Sequence, residues 1–172
     1  MEFDGVITDQ SRVPLCVFTA DCVPVLLAEE SAGVVCAVHS GWKGTASLIS
    51  VKAVRLMEKE FDCRPENILA AFGPCICRDC YEVGAELIPH FSENYTEDEI
   101  RSFFREKPDG KYLLDVNKAI SISLIRAGVS ETNIFPSPHC TYHETLFYSH
   151  RRQLKMGLEG KDNMFTGIML NV

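Results

Sequence analysis

Cys22 and His39 flank two consecutive apolar runs. Their side chains can bind a metal, or act as a nucleophile and a base. The runs, residues 23–28 and 34–38, are short and rich in β-branched residues, and the segment between them has turn composition. This pattern predicts a β-hairpin. Because the start of one antiparallel strand lies beside the end of the next, the hairpin should bring thiol and imidazole together at one end of a sheet.

Such a pair suits two chemistries: a thiolate activated by a neighbouring imidazole, or a soft metal ion such as zinc held by sulfur and nitrogen. The alternative is structural, with Cys22 a small buried side chain and His39 a satisfied polar residue at a strand end. After His39 the chain continues with two glycines around Trp42 and Lys43 and then a helical pattern. A glycine-flanked turn of this kind leaves backbone N–H groups free to meet an anion.

A second constellation combines a CxC and a CxxC motif, formed by Cys75, Cys77 and Cys80. In isolation it could be half of a structural zinc site. Such a site normally has four ligands, and we identify no second paired knuckle, so we expect only a pocket residue here, Cys75 or Cys80.

A third cluster contains His139, Cys140 and His143, at spacings that could ligate a metal; we favour loop or core roles for it. Further on, Arg151 and Arg152 follow a predicted strand at 146–149, where two guanidinium groups could clamp a phosphate or form a solvated basic loop.

Asp21, next to Cys22, could orient a ligand histidine or a substrate hydroxyl, or serve as a turn or capping residue.

The composition describes an ordinary globular chain: 172 residues, 46% hydrophobic and 24% charged, which we read as one domain at 1–172. A net charge of −7 argues against nucleic-acid binding. No apolar run approaches the roughly 20 residues that span a bilayer, and the first residues do not resemble a signal peptide. We therefore predict a cytoplasmic protein without a membrane partner, whose eight cysteines are reduced.

Local patterns also predict the remaining elements. Helices are expected at 45–61 and 81–91, after Thr96 with a capping box, and after Asp115; further strands are expected at 13–18, 68–72, 134–135, 146–149 and 165–170. Regular βαβ units and a GxGxxG turn are missing from the sequence, so a doubly wound nucleotide fold is not favoured. We predict an α+β domain with a mixed sheet.

Several motifs together resemble one known family. TADCVPVLL, VCAVHSGWKGT, ENILAAFGPCI, CYEVG, LLDVNKA, CTY and FYSHRR follow one another as in the YfiH-like, laccase-domain family, also described as purine nucleoside phosphorylases. The resemblance implies a layered mixed α/β fold. It also implies a zinc site with three ligands, of which the cysteine of TADC and the histidine of VHSGW are Cys22 and His39.

The resemblance further implies phosphorolysis of adenosine, inosine or guanosine, with possible deamination of adenosine. Purine nucleoside and phosphate would be the partners, with Lys43, Arg151, Arg152 and Cys75 as candidate substrate contacts and Asp21 as a supporting catalytic residue. Copper is less expected than zinc, because a multicopper oxidase needs many histidines and this sequence has five.

One departure from the family concerns the third zinc ligand, a histidine in a QVHG-type motif, which has no counterpart in this sequence. We therefore expect a chain that is N-terminally incomplete relative to the family and that binds zinc weakly by itself, with an exposed apolar wall beside the hairpin. Two other classes remain open: a metal-free Cys-His hydrolase, and an inactive truncated module that only binds a partner.

Overall fold

The computed structural model describes residues 3–171. Its strands are β1 (Gly5–Thr8), β2 (Leu15–Thr19), β3 (Val23–Glu29), β4 (Val34–Ser40), β5 (Leu69–Phe72), β6 (Glu82–Val83), β7 (Phe104–Glu106), β8 (Tyr112–Leu114), β9 (Ile134–Phe135) and β10 (Met164–Ile168). Its α-helices are α1 (Trp42–Ala46), α2 (Ile49–Phe61), α3 (Ile88–Ser92), α4 (Glu97–Phe103), α5 (Val116–Arg126) and α6 (His150–Met156). Short 3-10 turns include Arg78–Cys80.

The central sheet has the strand order β1-β4-β3-β5-β9. Its first three pairings are antiparallel, and the last, between β5 and β9, is parallel. The predicted hairpin is therefore present as β3 and β4, two of the three inner strands, and the predicted mixed sheet is confirmed. A two-stranded sheet, β10-β2, and a three-stranded sheet, β6-β8-β7, complete the fold.

The hairpin strands are buried on both faces, which explains why their sequences are continuous apolar runs. On one face, Val25, Leu27 and Val38 join the main core with α2 and α5. On the other face, Val35 and Ala37 pack with Leu15 and Val17 of β2 in a smaller core. The period-two alternation of a strand thus sends successive residues into two different layers.

The helix ends follow their local sequence signals where those signals are strong. Thr96 and Glu99 form the predicted capping box of α4, and Asp115 caps α5 by accepting from the Lys118 N–H at 3.0 Å. Gly128, just beyond α5, has φ +99°, a conformation that glycine adopts without steric cost. No helix among residues 3–171 is both long and apolar enough to span a membrane.

Three predicted elements were wrong. The helix expected at 45–61 is two helices, because Leu48 adopts a left-handed conformation with φ +59°. The Asn94 side chain donates to the Ala46 carbonyl at 3.0 Å, and the Tyr95 hydroxyl donates to the Thr45 carbonyl at 3.2 Å, so the end of α1 is satisfied without continuing the helix.

The segment expected to be a helix at 81–91 instead forms β6 and then a 3-10 turn before α3, since Glu82 and Val83 pair with β8. The strand expected at 146–149 is not formed. Ser149 instead caps α6, its hydroxyl accepting from the Arg152 N–H at 3.1 Å. Both arginines of the predicted phosphate clamp therefore lie on a helix.

Candidate functional site

The hairpin register brings Cys22 and His39 to the same end of the central sheet. Val23 lies opposite Ser40, and Pro24 lies opposite His39. Cys22, one residue before β3, is thereby placed beside Gly41, which starts the turn into α1. This is the juxtaposition that the sequence predicts.

Because Gly41 has no side chain, it leaves open a space that Cys22 and His39 both border. A Cβ atom at Gly41 would lie 2.9 Å from Cys22 Sγ and 4.0 Å from His39 Nε2. The thiol and the imidazole nitrogen thus approach one small region that only a residue without a side chain leaves open. A sulfur and a nitrogen that converge in this way are donors that zinc accepts, and they supply two of the three protein ligands of a typical catalytic site.

Asp4 orients the imidazole of His39. Its Oδ1 lies 3.2 Å from His39 Nδ1, and its backbone carbonyl accepts from the His39 N–H at 2.7 Å. A carboxylate on Nδ1 favours the tautomer whose Nε2 is the free lone-pair donor, as is usual for metal-binding histidines. Sequence reasoning gave this role to Asp21, and it missed Asp4, which lies in a separate strand-entry segment 35 positions away.

The surroundings of Cys22 favour a cation. Burial raises the pKa of the Cys22 thiol to about 11, and the carboxylates of Asp21 and Asp4 add to that rise. An uncompensated thiolate is therefore unfavourable at neutral pH. A metal ion would supply the positive charge that a thiolate needs at this position.

Asp21 itself anchors two distant parts of the chain to the turn before β3. One carboxylate oxygen accepts from the Thr141 hydroxyl at 2.6 Å, and the other accepts from the Arg151 N–H at 2.7 Å. Its φ of +83° is one that aspartate tolerates better than most residues. Asp21 thus holds the Thr141 loop and the first turn of α6 beside Cys22.

Arg151 lies near the Cys22 end of the sheet, where it packs against Tyr81. Its guanidinium is 5.1 Å from the centre of the Tyr81 ring and donates to the Glu82 carbonyl at 2.7 Å. Burial raises the pKa of Tyr81 to about 12, with a further contribution from the nearby Cys22. Sequence reasoning missed Tyr81, although it lies in the CYEVG motif.

Arg152 has different contacts. Its guanidinium donates to the carbonyls of Thr141, Tyr142 and Phe147, at 2.6, 3.0 and 2.5 Å. These contacts organise the loop before α6. They favour a structural role for Arg152 over the predicted contact with phosphate.

Lys43 and Cys75 were the other predicted substrate contacts. Lys43 is exposed, and its Nζ lies 5.5 Å from the centre of the Trp42 ring, one residue after Gly41. Cys75 is only 1% exposed and donates its thiol hydrogen to Asn117 Oδ1 at 3.3 Å. Lys43 therefore remains available to an anion, whereas Cys75 belongs to the core and offers no surface to a substrate.

An apolar groove of about 580 Å³ lies beside β1 and β4. Its lining includes Phe3, Ile7, Val38 and Leu56, and Phe3 is 69% exposed. This groove agrees in place and character with the predicted apolar wall. Which segment covers it stays a prediction.

The structure also brings together two motifs that the sequence analysis treated separately. Cys77, Cys80, Cys140 and His143 place one ligand atom each within 4.8 Å of one another, a group that could hold a metal ion. The statement that Cys77 and Cys80 have no second paired knuckle was therefore wrong. The signal was present in the sequence as a C-x2-C motif and a C-x2-H motif, with 59 residues between Cys80 and Cys140.

Comparisons with known proteins agree with the fold. The family model described as multi-copper polyphenol oxidoreductase laccase matches residues 1–170. A curated relative named purine nucleoside phosphorylase, from Bacteroides thetaiotaomicron, is 34% identical over 170 residues, which cover 98% of this chain and 61% of the relative. Another, named adenosine deaminase RL5, from an unknown prokaryotic organism, is 36% identical over 96% of this chain and 61% of the relative.

Among solved structures, YlmD from Geobacillus stearothermophilus is similar with a TM-score of 0.88 and 34% identity. The match covers 98% of this chain and 61% of that structure. The fold, a single mixed α+β unit, is therefore the one that the motifs implied. The chain spans less than two thirds of the length of the relatives it matches.

Proposed function

We propose that this chain, which belongs to the laccase-domain family, provides the Cys-His half of a purine nucleoside-processing site. Its curated relatives include proteins named purine nucleoside phosphorylase and adenosine deaminase. The reaction that we favour is phosphorolysis, in which phosphate forms a bond to C1′ of the ribose while the bond from C1′ to the purine nitrogen breaks. The products are a free base and ribose 1-phosphate, and the leaving nitrogen takes up a proton. Deamination of adenosine is the second reaction: water forms a bond to C6, the bond from C6 to the amino nitrogen breaks, and ammonia and inosine are the products.

One observation carries the proposal: Cys22 Sγ and His39 Nε2 both approach the space above Gly41, and Asp4 holds the opposite nitrogen of the imidazole. These two donors would hold a zinc ion together with a third ligand. When bound, zinc supplies a Lewis acid that can polarise a substrate oxygen or activate water.

The other residues of the site act by positioning and charge. Asp21 fixes the start of α6, and with it Arg151, next to Cys22. Lys43 and Arg151 are the cationic side chains that we propose to contact phosphate, because both lie on segments adjoining the Cys-His pair. Tyr81, against the Arg151 guanidinium, offers an aromatic face beside Cys22.

The compartment belongs to the same proposal. All eight cysteines are free thiols, and the pair needs a reduced Cys22 to bind metal. We propose that the protein works in a reducing compartment such as the cytoplasm.

Product analysis tests the reaction. Adenosine is incubated with and without phosphate, using both the 172-residue chain and a version extended at its N-terminus with the corresponding upstream segment of the Bacteroides thetaiotaomicron relative. Adenine that forms only with phosphate indicates phosphorolysis, and inosine indicates deamination. We expect the extended version to be much faster, since two zinc ligands alone bind weakly.

Variants connect the activity to the pair. Cys22→Ala and His39→Ala should each reduce turnover by at least about 100-fold, because each removes a ligand. Cys16→Ser, at an exposed thiol on β2, is the control and should retain activity. Activity that resists chelators but disappears on alkylation of Cys22 would support a Cys-His hydrolase instead. Absence of both products in both versions would support a binding module.

A further inference from the structure

The group formed by Cys77, Cys80, Cys140 and His143 lies outside the Cys22–His39 pair, and nothing in the proposed reaction uses it. It combines three thiols and one imidazole, with ligand atoms no more than 4.8 Å apart. Two loops supply two ligands each. The first precedes β6, and the second precedes α6.

The first loop is folded as a tight turn. The Cys80 N–H and the Tyr81 N–H both donate to the Cys77 carbonyl at 3.1 Å, closing a single 3-10 turn between the two cysteines. Such a turn places the side chains of a C-x2-C pair on the same side. The spacing is that of one half of many structural zinc sites.

The second loop presents a C-x2-H pair in a comparable turn. The Glu144 N–H donates to the Cys140 carbonyl at 3.0 Å, and the Cys140 N–H donates to the Glu144 side chain at 3.1 Å. These two bonds fold the backbone into a turn around Cys140. His143, on the same turn, reaches the first loop.

Backbone pairing holds the two loops in register. Cys75 and Cys140 form an isolated parallel bridge, and the Thr141 N–H donates to the Cys75 carbonyl at 3.0 Å. Above this bridge, Cys80 Sγ lies 3.1 Å from His143 Nε2. The Cys77 N–H lies 3.4 Å from Cys140 Sγ, a hydrogen bond that stabilises a thiolate.

We propose that these four residues bind one zinc ion in a closed, tetrahedral Cys3His site. Zinc takes sulfur at about 2.3 Å and imidazole nitrogen at about 2.0 to 2.1 Å, so its ligand atoms lie roughly 3.5 to 3.8 Å apart. Atoms at the upper limit of 4.8 Å would need to approach by roughly 1.0 to 1.3 Å, and Cys80 Sγ and His143 Nε2, now 3.1 Å apart, would separate slightly. With four protein ligands the ion has no open position, so its role is structural.

A redox disulfide explains the group less well. A disulfide would use two of the three sulfurs and leave one sulfur and the imidazole of His143 without a role. All three cysteines are free thiols in the structure, and the imidazole completes the number of ligands that structural zinc takes.

The ion would connect the parts of the chain that surround Asp21. Thr141, next to the ligand Cys140, donates to Asp21, and Tyr81, next to the ligand Cys80, packs against Arg151. Closing the four-ligand group therefore fixes the residues on both sides of the Cys22 end of the sheet. The inference does not depend on which reaction the hairpin site performs.

Zinc content of the 172-residue chain, purified under reducing conditions without added metal, is the first measurement. We expect one zinc per chain in the wild-type protein and in the variant Cys22→Ala/His39→Ala. We expect almost none in Cys77→Ser/Cys140→Ser. Loss of zinc from the Cys22→Ala/His39→Ala variant together with its retention in Cys77→Ser/Cys140→Ser would overturn the proposal.

Cobalt(II) provides a second, spectroscopic readout. Cobalt added to the metal-free chain should give the intense visible absorption of a tetrahedral ion and a thiolate charge-transfer band. Both should survive Cys22→Ala/His39→Ala, and His143→Ala should weaken cobalt and zinc binding by more than the roughly 10- to 100-fold cost of losing an outer partner. This single variant keeps all three thiols, so it decides the question if the double-serine variant fails to fold.

Three results would contradict the inference. They are a wild-type chain that neither contains zinc nor takes it up, a chain that contains another metal stoichiometrically, and an intact mass showing a disulfide within the group under reducing conditions. Nucleoside turnover is not part of these measurements. Failure of the proposed reaction and failure of the zinc site are thus separately visible.

Discussion

Replacing Asp21 with alanine should uncouple the turn before β3 from the loop and helix that it anchors. Asp21 is 9% exposed, and its carboxylate accepts two hydrogen bonds, from the Thr141 hydroxyl at 2.6 Å and from the Arg151 N–H at 2.7 Å. The Thr141 side chain is fully buried, so its hydroxyl would lose its acceptor without gaining water. The variant therefore leaves unsatisfied donors as well as removing a charge.

The expected loss in the free energy of unfolding follows from these contacts. A hydrogen bond to a charged group contributes about 1.5 to 3 kcal/mol, and alanine at φ +83° adds roughly 1 kcal/mol of strain. Since such terms are not additive, we expect Asp21→Ala to lose about 3 to 5 kcal/mol. Asp21→Asn should lose only about 1 to 2 kcal/mol, because the amide can accept from Arg151 and donate to Thr141.

Urea unfolding, followed by circular dichroism and by the fluorescence of the single tryptophan, Trp42, measures both variants. Thr141→Val combined with each variant gives a double-mutant cycle that isolates the Asp21–Thr141 contact. Glu58→Ala, at an exposed ion pair with Arg55, is the control and should change stability by less than about 1 kcal/mol. Equal losses below about 1 kcal/mol for Asp21→Ala and Asp21→Asn would refute the assigned role.

Three further predictions concern other parts of the molecule. Burial raises the pKa of Tyr95 to about 12, so the stability that its neutral hydroxyl contributes is complete below the unfolded pKa of about 10 and is lost as the pH rises toward 12. In urea unfolding, the wild-type protein should therefore lose about 1.4 kcal/mol of unfolding free energy between pH 8 and pH 11 relative to Tyr95→Phe. Parallel pH profiles of the two proteins would contradict this. Gly41→Ala should displace the Cys22 sulfur, which would lie 2.9 Å from the new Cβ, and should abolish turnover while the circular dichroism spectrum is unchanged. Gly5→Ala is the control and should be tolerated, because the nearest atom to its new Cβ would be 3.6 Å away. Equal activity of the two variants would count against the approach of Cys22 and His39 to one space at Gly41. Asp4→Ala should weaken zinc binding at His39 by about 10- to 100-fold in chelator competition, measured with the four-ligand group removed, and unchanged affinity would show that Asp4 does not orient the imidazole.

The four-ligand group also changes how the zinc content of the chain is interpreted. If the Cys22–His39 pair were the only metal site considered, tightly bound zinc would suggest that a histidine from elsewhere in the chain is its third ligand. His143 instead belongs to the four-ligand group, so stoichiometric zinc alone says nothing about the pair. Only variants of the two sites, compared side by side, assign the metal.

Local signals in the sequence predicted the parts of the fold that local physics determines. The β3–β4 hairpin follows from two β-branched runs around a turn, and α4 and α5 follow from caps at Thr96 and Asp115. The strand expected at 146–149 failed because Ser149 acts as a helix cap, a signal that the apolar residues around it obscured. The helix expected from residue 81 failed because pairing of β6 with β8 overrides local periodicity.

In the candidate sites, too, contacts within one local element could be predicted from the sequence and contacts between distant segments could not. Cys22 and His39 could be paired from the sequence because a single hairpin connects them. Asp4 reaches His39 through β1, and the two halves of the four-ligand group meet through the bridge between Cys75 and Cys140. These contacts depend on tertiary pairing between distant segments, which spacing within one motif does not reveal.

The pairing of β2 with β10 has a consequence for how the chain is made. β2 is synthesised about 150 positions before its partner β10. Until β10 has left the ribosome, β2 has no strand along that edge, and its Phe18 side chain, 64% exposed even in the finished protein, lies beside open backbone groups. The edge of β2 is therefore open to wrong pairing in the interval after the hairpin can form and before β10 closes the second layer.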